Sequence, residues 1–290
     1  MIDLHSHSNA SDGRKSPADS ARYAAEKNLS VWALTDHDTV AGLHEAALAC
    51  QETDVVFVPG IEITINWPNG EFHLLGQGLS HCSEELADLV AELKESRDER
   101  NDHIIEKMAE DGIQTTAEEI KAFCGVEQLG RPHFADYLVH RGVVKTRQAA
   151  FDKYLAQGRP WFIHHNGADL DEAISAIVSS GGVPVLAHPL SLYVSWGKIE
   201  GVLTEIVAHG IQGIEAWHPG ARVGEAMRLE ELARKLGCFV TAGSDFHGEG
   251  VRADRHLGHT SGNKKIDARF WEEELLPHLP NYSVDYWLGK

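Results

Sequence analysis

The stretch Val31-Trp32-Ala33-Leu34-Thr35-Asp36-His37-Asp38 places four apolar residues directly before a group of polar and ionisable ones. The short apolar run predicts a buried strand, and the residues from Thr39 onward predict a helix. A strand followed by a helix is the repeating unit of parallel sheets and barrels, whose sites lie past the carboxyl ends of the strands. The stretch therefore indicates an α/β fold and a place for its chemistry.

The same alternation continues at both ends of the chain, with helices predicted at residues 18–27 and 40–51. Strands are predicted at residues 2–5, 31–35, 55–58, 72–75, 183–187, 213–216 and 239–242. In the middle, residues 84–111, 116–123, 132–140 and 147–156 have only helical patterns. We therefore predict a barrel domain of residues 1–82 and 166–290, interrupted by a helical insertion at residues 83–165.

Length and composition indicate an ordinary globular protein, with 290 residues, 42% of them hydrophobic and 24% charged. No stretch reaches the roughly 18 apolar residues of a membrane helix, and the start of the chain lacks a secretory signal. We expect a soluble, cytoplasmic protein with no membrane partner. The four cysteines are widely spaced, which argues against disulfides and against a thiolate zinc site.

The formal net charge of -18 disfavours broad electrostatic attraction to nucleic acid. An anionic substrate would need positive charge concentrated at its site, and bound divalent metals can supply it. The 18 histidines are consistent with metal binding, although their positions must decide.

Histidines and carboxylates follow the predicted strands of the first half. His5 and His7 share one face of a strand, so both imidazoles can reach one metal ion. Asp12 follows in a glycine-containing loop, where a turn residue is the ordinary interpretation. His37 is a candidate ligand, whereas at least one of Asp36 and Asp38 is expected to cap the following helix.

Glu62 is a lone carboxylate between apolar residues, so it needs a buried partner, which a metal or a salt bridge could provide. His73, in another apolar run, could equally be a core histidine. In the second half His188 ends a predicted strand, and Asp245 with His247 repeats the spacing of the first histidine pair. Taken together, these strand ends favour a multinuclear metal site.

The ordered set H-x-H, D, T-D-H, E, H, H, D-x-H resembles that of the PHP (polymerase and histidinol phosphatase) phosphoesterases, which are related to the amidohydrolases. The resemblance spans nearly the whole chain. It implies a distorted (β/α)7 barrel that holds two or three divalent ions, with manganese expected and zinc or iron as alternatives. It assigns a first ion to His5, His7, Glu62 and Asp245. Glu62 would bridge to a second ion at His73 and His188. Catalytic residues that form a third site, outside the first two coordination shells, would be Asp12, His37 and His247.

The helical insertion makes the chain more similar to one subfamily, the 3′,5′-nucleoside bisphosphate phosphatases and 5′-to-3′ exoribonucleases. The insertion also carries Arg97, and the residues that would bind substrate are Arg100, Asn101, Arg131 and His133. Arginine suits bidentate phosphate binding, and Pro132 as first helical residue would place helix-start amides near the same anion. The pair His164 and His165 is assigned no role.

The resemblance implies hydrolysis of the 3′-phosphate of a nucleoside 3′,5′-bisphosphate by a metal-bridging hydroxide, which leaves the 5′-monophosphate. One alternative is a 5′-to-3′ exoribonuclease that acts on short 5′-phosphorylated RNA. A second is a histidinol-phosphate phosphatase, against which the insertion argues. A third is a non-catalytic PHP-like binding module, against which the complete ligand set argues. No protein partner is implied.

Overall fold

The strands meet in one sheet in the computed structural model, which describes residues 1–68, 70–164 and 166–290. Within those residues the sheet has seven strands in chain order: β1 (Ile2–Asp3), β2 (Val31–Leu34), β3 (Val56–Trp67), β4 (Gly70–Gln77), β5 (Val183–Leu186), β6 (Gly213–Trp217) and β7 (Phe239–Ala242). A short antiparallel pair, β8 (His259–Thr260) and β9 (Lys264–Lys265), lies apart from it.

The sheet curls into a nearly closed barrel, as predicted. Past the ends of β1 and β7, Ser6 and Phe246 form a parallel bridge, and the His7 N–H donates to the Phe246 carbonyl at 2.9 Å. Strands β1 to β3 and β5 to β7 pair in parallel. Strand β4 pairs antiparallel with both β3 and β5, so the sheet is mainly parallel.

Helices connect the strands or form the insertion. The α-helices are α1 (Pro17–Glu26), α2 (Leu43–Cys50), α3 (Glu84–Glu110), α4 (Ala117–Cys124), α5 (Arg131–His140), α6 (Arg147–Ala150), α7 (Leu170–Ser179), α8 (Ile199–Ala208) and α9 (Val223–Lys235). The π-helical segments are Phe151–Leu155 and Phe270–Leu275, and the 3₁₀ segments are Pro189–Leu192, Ser261–Asn263, Leu276–His278 and Tyr286–Leu288. No helix in the described ranges is long and apolar enough to cross a bilayer.

Strand β3 includes most of the predicted segment at residues 55–58 but continues to Trp67, well past the predicted end. The Pro59-Gly60 pair is typical of a turn, but here it continues the strand. A side chain at Gly60 would come within 2.8 Å of the Thr35 side chain and 2.9 Å of the Gly76 carbonyl, so close packing explains the glycine. As a consequence, Glu62 and His73 lie within an antiparallel strand pair and not at strand ends.

The described residues contain two hydrophobic cores. The larger fills the barrel and includes Leu86 and Leu93 from the first half of α3. The smaller lies within the insertion and includes Ile104 from the second half of α3, Phe134 and Trp161. Helix α3 therefore connects the two cores and fixes the insertion against the barrel.

Candidate metal centre

The buried Glu62 carboxylate lies at the centre of a group of histidines. Its Oε1 atom lies 2.8 Å from His73 Nδ1 and 2.9 Å from His188 Nε2. Three imidazole nitrogens lie within 3.2 Å of its Oε2 atom: His5 Nε2, His7 Nε2 and His37 Nδ1. Each oxygen thus faces a different set of imidazoles, which is the arrangement that a carboxylate bridging two ions requires.

Sheet pairing explains why residues distant in sequence meet here. Past the end of β2, the Asp38 N–H donates to the Glu62 carbonyl at 2.9 Å, which draws His37 against β3. Antiparallel pairing places His73 opposite Thr64, two residues from Glu62. On the other side, barrel closure brings the end of β7 to the end of β1.

The structure brings eight of the nine predicted ligands together in three overlapping groups, within each of which the ligand atoms lie within 4.8 Å of one another. The groups are His5, His7, Glu62 and Asp245; His37, Glu62 and His73; and His7, Asp12, His37 and His247. His188 joins the second group through Glu62. His37 belongs to two groups, so it does not stand apart from the first two sites as the sequence suggested.

The residues fit divalent ions by their donor chemistry and by their unmet bonding capacity. Imidazole nitrogens with carboxylate oxygens suit manganese, iron and zinc. Among described residues, no donor reaches the buried Glu62 Oε2 or Asp12 Oδ1 atoms in hydrogen-bond geometry. Buried carboxylate oxygens without such a bond are costly, and a cation would satisfy them.

The electrostatics of the cluster couple its protonation to metal binding. Burial raises the pKa of Glu62, but His37, His5 and His73 outweigh it and hold the pKa well below its usual range. Burial lowers the pKa of His7, yet its close contacts with the Asp245 and Glu62 carboxylates raise it to about 10. A metal ion must displace such protons, so its affinity should fall as pH falls.

Glu215 on β6 contacts two of these histidines, His5 and His188, through atoms that do not face Glu62. Its Oε1 atom lies 2.9 Å from His5 Nδ1, and its Oε2 atom accepts from the His188 N–H at 2.9 Å. A side chain at Gly243 would approach Glu215 Oε1 to 2.5 Å, so the end of β7 must carry a glycine there. The sequence interpretation missed Glu215, although it is a lone carboxylate among apolar strand residues, as Glu62 is.

His218, which follows β6, is a second residue that the sequence interpretation missed. Its Nε2 atom lies 3.2 Å from Asp245 Oδ2, on the side of that carboxylate away from His7. His247 is oriented through Nδ1, which lies 2.9 Å from the Asp245 carbonyl and can only donate to it, so its Nε2 atom faces Asp12 at 3.1 Å.

The prediction that Asp36 or Asp38 caps the next helix was wrong. Asp36 accepts hydrogen bonds from the Ser8 N–H and hydroxyl at 2.7 and 2.6 Å, which orders the loop after β1. Asp38 accepts from the Thr64 N–H at 2.7 Å and forms an ion pair with Arg97 of α3. Helix α2 starts later, after Gly42, without a side-chain cap.

Non-glycine residues with left-handed backbone cluster at this site. Asp38, His188 and Asp245 have φ angles of 51°, 25° and 53°. Such conformations persist where surrounding structure enforces them, commonly at functional sites.

The predicted substrate-binding residues of the insertion lie in two places. Arg100 donates to Asn101 Oδ1 at 2.8 Å, and both side chains donate to the Leu129 carbonyl. Arg131 lies over the Phe162 ring, with its guanidinium 4.0 Å from Glu71 Oε1. His133 lines a separate cavity of about 470 Å³ beside Asp12.

Helix α5 begins at Arg131, so Pro132 is its second residue. The prediction that Pro132 is the first helical residue was wrong. The Gly130 N–H is already bonded to His133 Nδ1 at 2.8 Å. That amide is therefore satisfied within the chain. His165 lies outside the described residues.

Comparisons with known proteins agree with this geometry. Residues 3–120 match the model of the PHP domain. The chain is 33% identical to a 3′,5′-nucleoside bisphosphate phosphatase of Chromobacterium violaceum, over 94% of this chain and 95% of that protein. It is also 33% identical to a 5′-3′ exoribonuclease of Haemophilus influenzae, over 84% of this chain and 89% of that protein.

A solved structure from Bifidobacterium adolescentis, described as a metal-dependent phosphoesterase, is also similar. It is 29% identical, with a TM-score of 0.83 over 96% of both chains. Sequence, fold and the arrangement of histidines and carboxylates thus agree, and the chain belongs to the PHP family of metal-dependent phosphoesterases.

Proposed function

We propose that the protein hydrolyses the 3′-phosphate of nucleoside 3′,5′-bisphosphates and releases nucleoside 5′-monophosphates. The observation that carries this proposal is a largely buried group of guanidiniums, from Arg97, Arg100 and the partly exposed Arg131, beside the hairpin that bears Glu62. In the described ranges, no acceptor reaches the Nε atom of any of the three in hydrogen-bond geometry. Buried cationic donors of this kind suit a phosphate.

The charges within this guanidinium group also favour an anion. Burial, together with the positive charges of Arg97 and Arg131, lowers the pKa of Arg100 to about 9. The carboxylates Asp38 and Glu71 oppose that shift, so three cations face two anions in a protein whose net charge is -18. A second substrate phosphate would relieve the repulsion among the arginines.

The guanidinium group and the metal centre flank the same strand pair. Asp38, the partner of Arg97, follows His37 directly, and Glu71 lies two residues before His73. A substrate with two phosphates could therefore use both positions at once. Binding energy from the remote phosphate would position the reacting one, so its loss should lower turnover as well as affinity.

Divalent ions at the three ligand groups would neutralise charge on the phosphoryl oxygens and activate water near neutral pH. The protein's own residues orient the ligand histidines and supply a proton to the leaving group. Glu215 fixes His5 and the backbone of His188 in position. Because His247 donates through Nδ1 to a backbone carbonyl, its Nε2 atom and Asp12 can hold a proton between them. We assign that proton to the departing 3′-oxygen.

The test compares kcat/KM for a nucleoside 3′,5′-bisphosphate with that for the matching 3′-monophosphate, histidinol phosphate and a short 5′-phosphorylated RNA. The bisphosphate should be preferred, and Arg131→Ala should reduce that preference by about 10- to 100-fold, the loss of one charge-assisted hydrogen bond. Arg159→Ala, an exposed arginine of the same insertion, is the matched control. Equal rates on the bisphosphate and the monophosphate would refute the proposal.

The similarity to an exoribonuclease favours one second candidate, processive or stepwise removal of nucleotides from 5′-phosphorylated RNA. The same experiment separates the two, because an exoribonuclease would prefer the RNA over the bisphosphate.

We further propose manganese as the resident ion and nucleotide metabolism as the role. Elemental analysis of the protein as purified tests the first. We also propose that residues 83–165 form a separate substrate-binding insertion, in line with their own hydrophobic core. Phe134→Ala, a change within that core, should leave metal binding intact and reduce the bisphosphate preference.

A further inference from the structure

A cavity other than the one that His133 lines opens beside the metal centre, and Arg97, Arg100 and Arg131 are not among the described residues that line it. Its volume is about 340 Å³, and all the described residues that line it belong to the barrel. His188 and His247 lie on its inner wall, while Leu190, Ala221 and Leu229 supply apolar surface. This size and mixed lining are typical of pockets that take a small organic group.

Tyr193 lies at this cavity with its side chain almost wholly in solvent, 93% exposed. Its backbone is left-handed, with φ 52° and ψ 30°, an uncommon conformation for a bulky residue. The 3₁₀ segment Pro189–Leu192 connects it by a single turn to His188, whose φ is also positive. A tyrosine that packs a core would be buried, so this strained and exposed ring calls for a ligand.

The arginines of this cavity do not form a second phosphate pocket. Arg252 Nη1 and Arg255 Nε lie 3.3 and 3.4 Å from Asp245 Oδ2, and Arg255 also pairs with Asp254. Their positive charge is therefore directed at protein carboxylates. The cavity offers apolar wall, an aromatic face and the planar guanidinium of Arg252, whose side chain is half exposed.

We propose that this cavity holds the nucleobase of the substrate, stacked on Tyr193. The inference rests on the proposed function, in which both phosphates have other partners and only the nucleoside remains to be placed. Aromatic rings bind every base through its π-face, and arginine planes stack in the same way. The reacting phosphate, the remote phosphate and the base would then occupy three sides of one site.

The experiment measures kcat/KM for adenosine 3′,5′-bisphosphate and adenosine 3′-monophosphate, each against the ribose phosphate that lacks the base. The wild type should prefer the base-bearing member of both pairs by roughly tenfold, within the range of base–aromatic stacking. Tyr193→Ala should remove the preference and Tyr193→Phe should keep it. Tyr286→Ala, another exposed tyrosine that is not among the residues lining this cavity, should also keep it.

Two outcomes would overturn the proposal: no base preference in the wild type, or an equal loss on base-bearing and abasic substrates in Tyr193→Ala. The proposed function would fail on a different result, namely equal kcat/KM for the bisphosphate and the 3′-monophosphate. In that case the 3′-monophosphate and its abasic counterpart would still measure the contribution of the base. Calorimetric measurement of adenosine 5′-monophosphate binding repeats the comparison of wild type and Tyr193→Ala without turnover. Tyr193→Ala should weaken that binding by about tenfold, and unchanged binding would contradict the stacking.

Discussion

Replacing Glu215 with Gln tests whether the residues behind the ligands control the metal centre. The change keeps shape and volume, but it puts an amide NH₂ where one of two carboxylate oxygens stood. Both oxygens face donors, the His5 imidazole and the His188 N–H, each at 2.9 Å. When His5 binds a metal through Nε2, its Nδ1 carries the proton, so one of the two bonds must be lost whichever way the amide turns.

The expected loss follows from that single bond. A hydrogen bond to a charged group contributes about 1.5–3 kcal/mol, and removing a carboxylate that orients a ligating histidine typically costs about 10- to 100-fold in metal affinity. We expect Glu215→Gln to bind manganese(II) that much more weakly, in a competition titration of metal-free protein against a fluorescent chelator. The activity should recover when manganese(II) is added in excess.

Glu230→Gln is the matched control, because Glu230 of α9 bonds to Arg269 and to Trp217 of β6, outside the metal centre. It should lower thermal stability and leave the metal affinity unchanged. If Glu215→Gln binds manganese(II) as tightly as the wild type, Glu215 is a packing residue and the assignment is wrong.

Three other changes test separate parts of the structure. Glu62→Ala should lose bound metal and lower the melting temperature relative to the metal-loaded protein, so unchanged metal content on elemental analysis would disprove the bridging role. His247→Asn should lower kcat and keep the metals of the Glu62 groups, and their loss would contradict the proton-holding role. Burial raises the pKa of Glu274, but Arg234 and the Val240 N–H outweigh it and lower the pKa below its ordinary 4.5. Its contribution to stability is therefore present above that pH and lost as pH falls, so Glu274→Gln should be less stable at pH 7 and show a shallower acid decline in urea titrations.

Much of the barrel could be predicted because its strands are short apolar runs followed by ionisable residues. The positions of His5, His37, His188 and Asp245 after such runs were enough to indicate a common site, since parallel strands end at one edge. Glu62 was recognised for a different reason, its isolation among apolar residues. Both signals, the apolar run before an ionisable residue and the isolated carboxylate, involve only neighbouring residues, so one sequence is enough to reveal them.

The rest depended on contacts between distant segments. The Pro59-Gly60 pair continues a strand only because Gly60 packs closely against Thr35 and Gly76, which no local pattern reveals. Arg97 and Asp38 are 59 positions apart, and their ion pair exists because α3 lies across the barrel edge. Glu215 carried the same signal as Glu62 but followed no recognised ligand motif, so it was overlooked.

The separate hydrophobic core of the insertion bears on how proteins of this kind diverge over generations. Inherited changes around Phe134 or Trp161 alter that core without touching the histidines around Glu62. Under the substrate-binding role proposed for the insertion, selection can act on substrate choice while the hydrolytic apparatus stays as it was. Descendants of one ancestral gene can acquire new substrates through the insertion, which accords with near-equal identity to relatives that carry different activities.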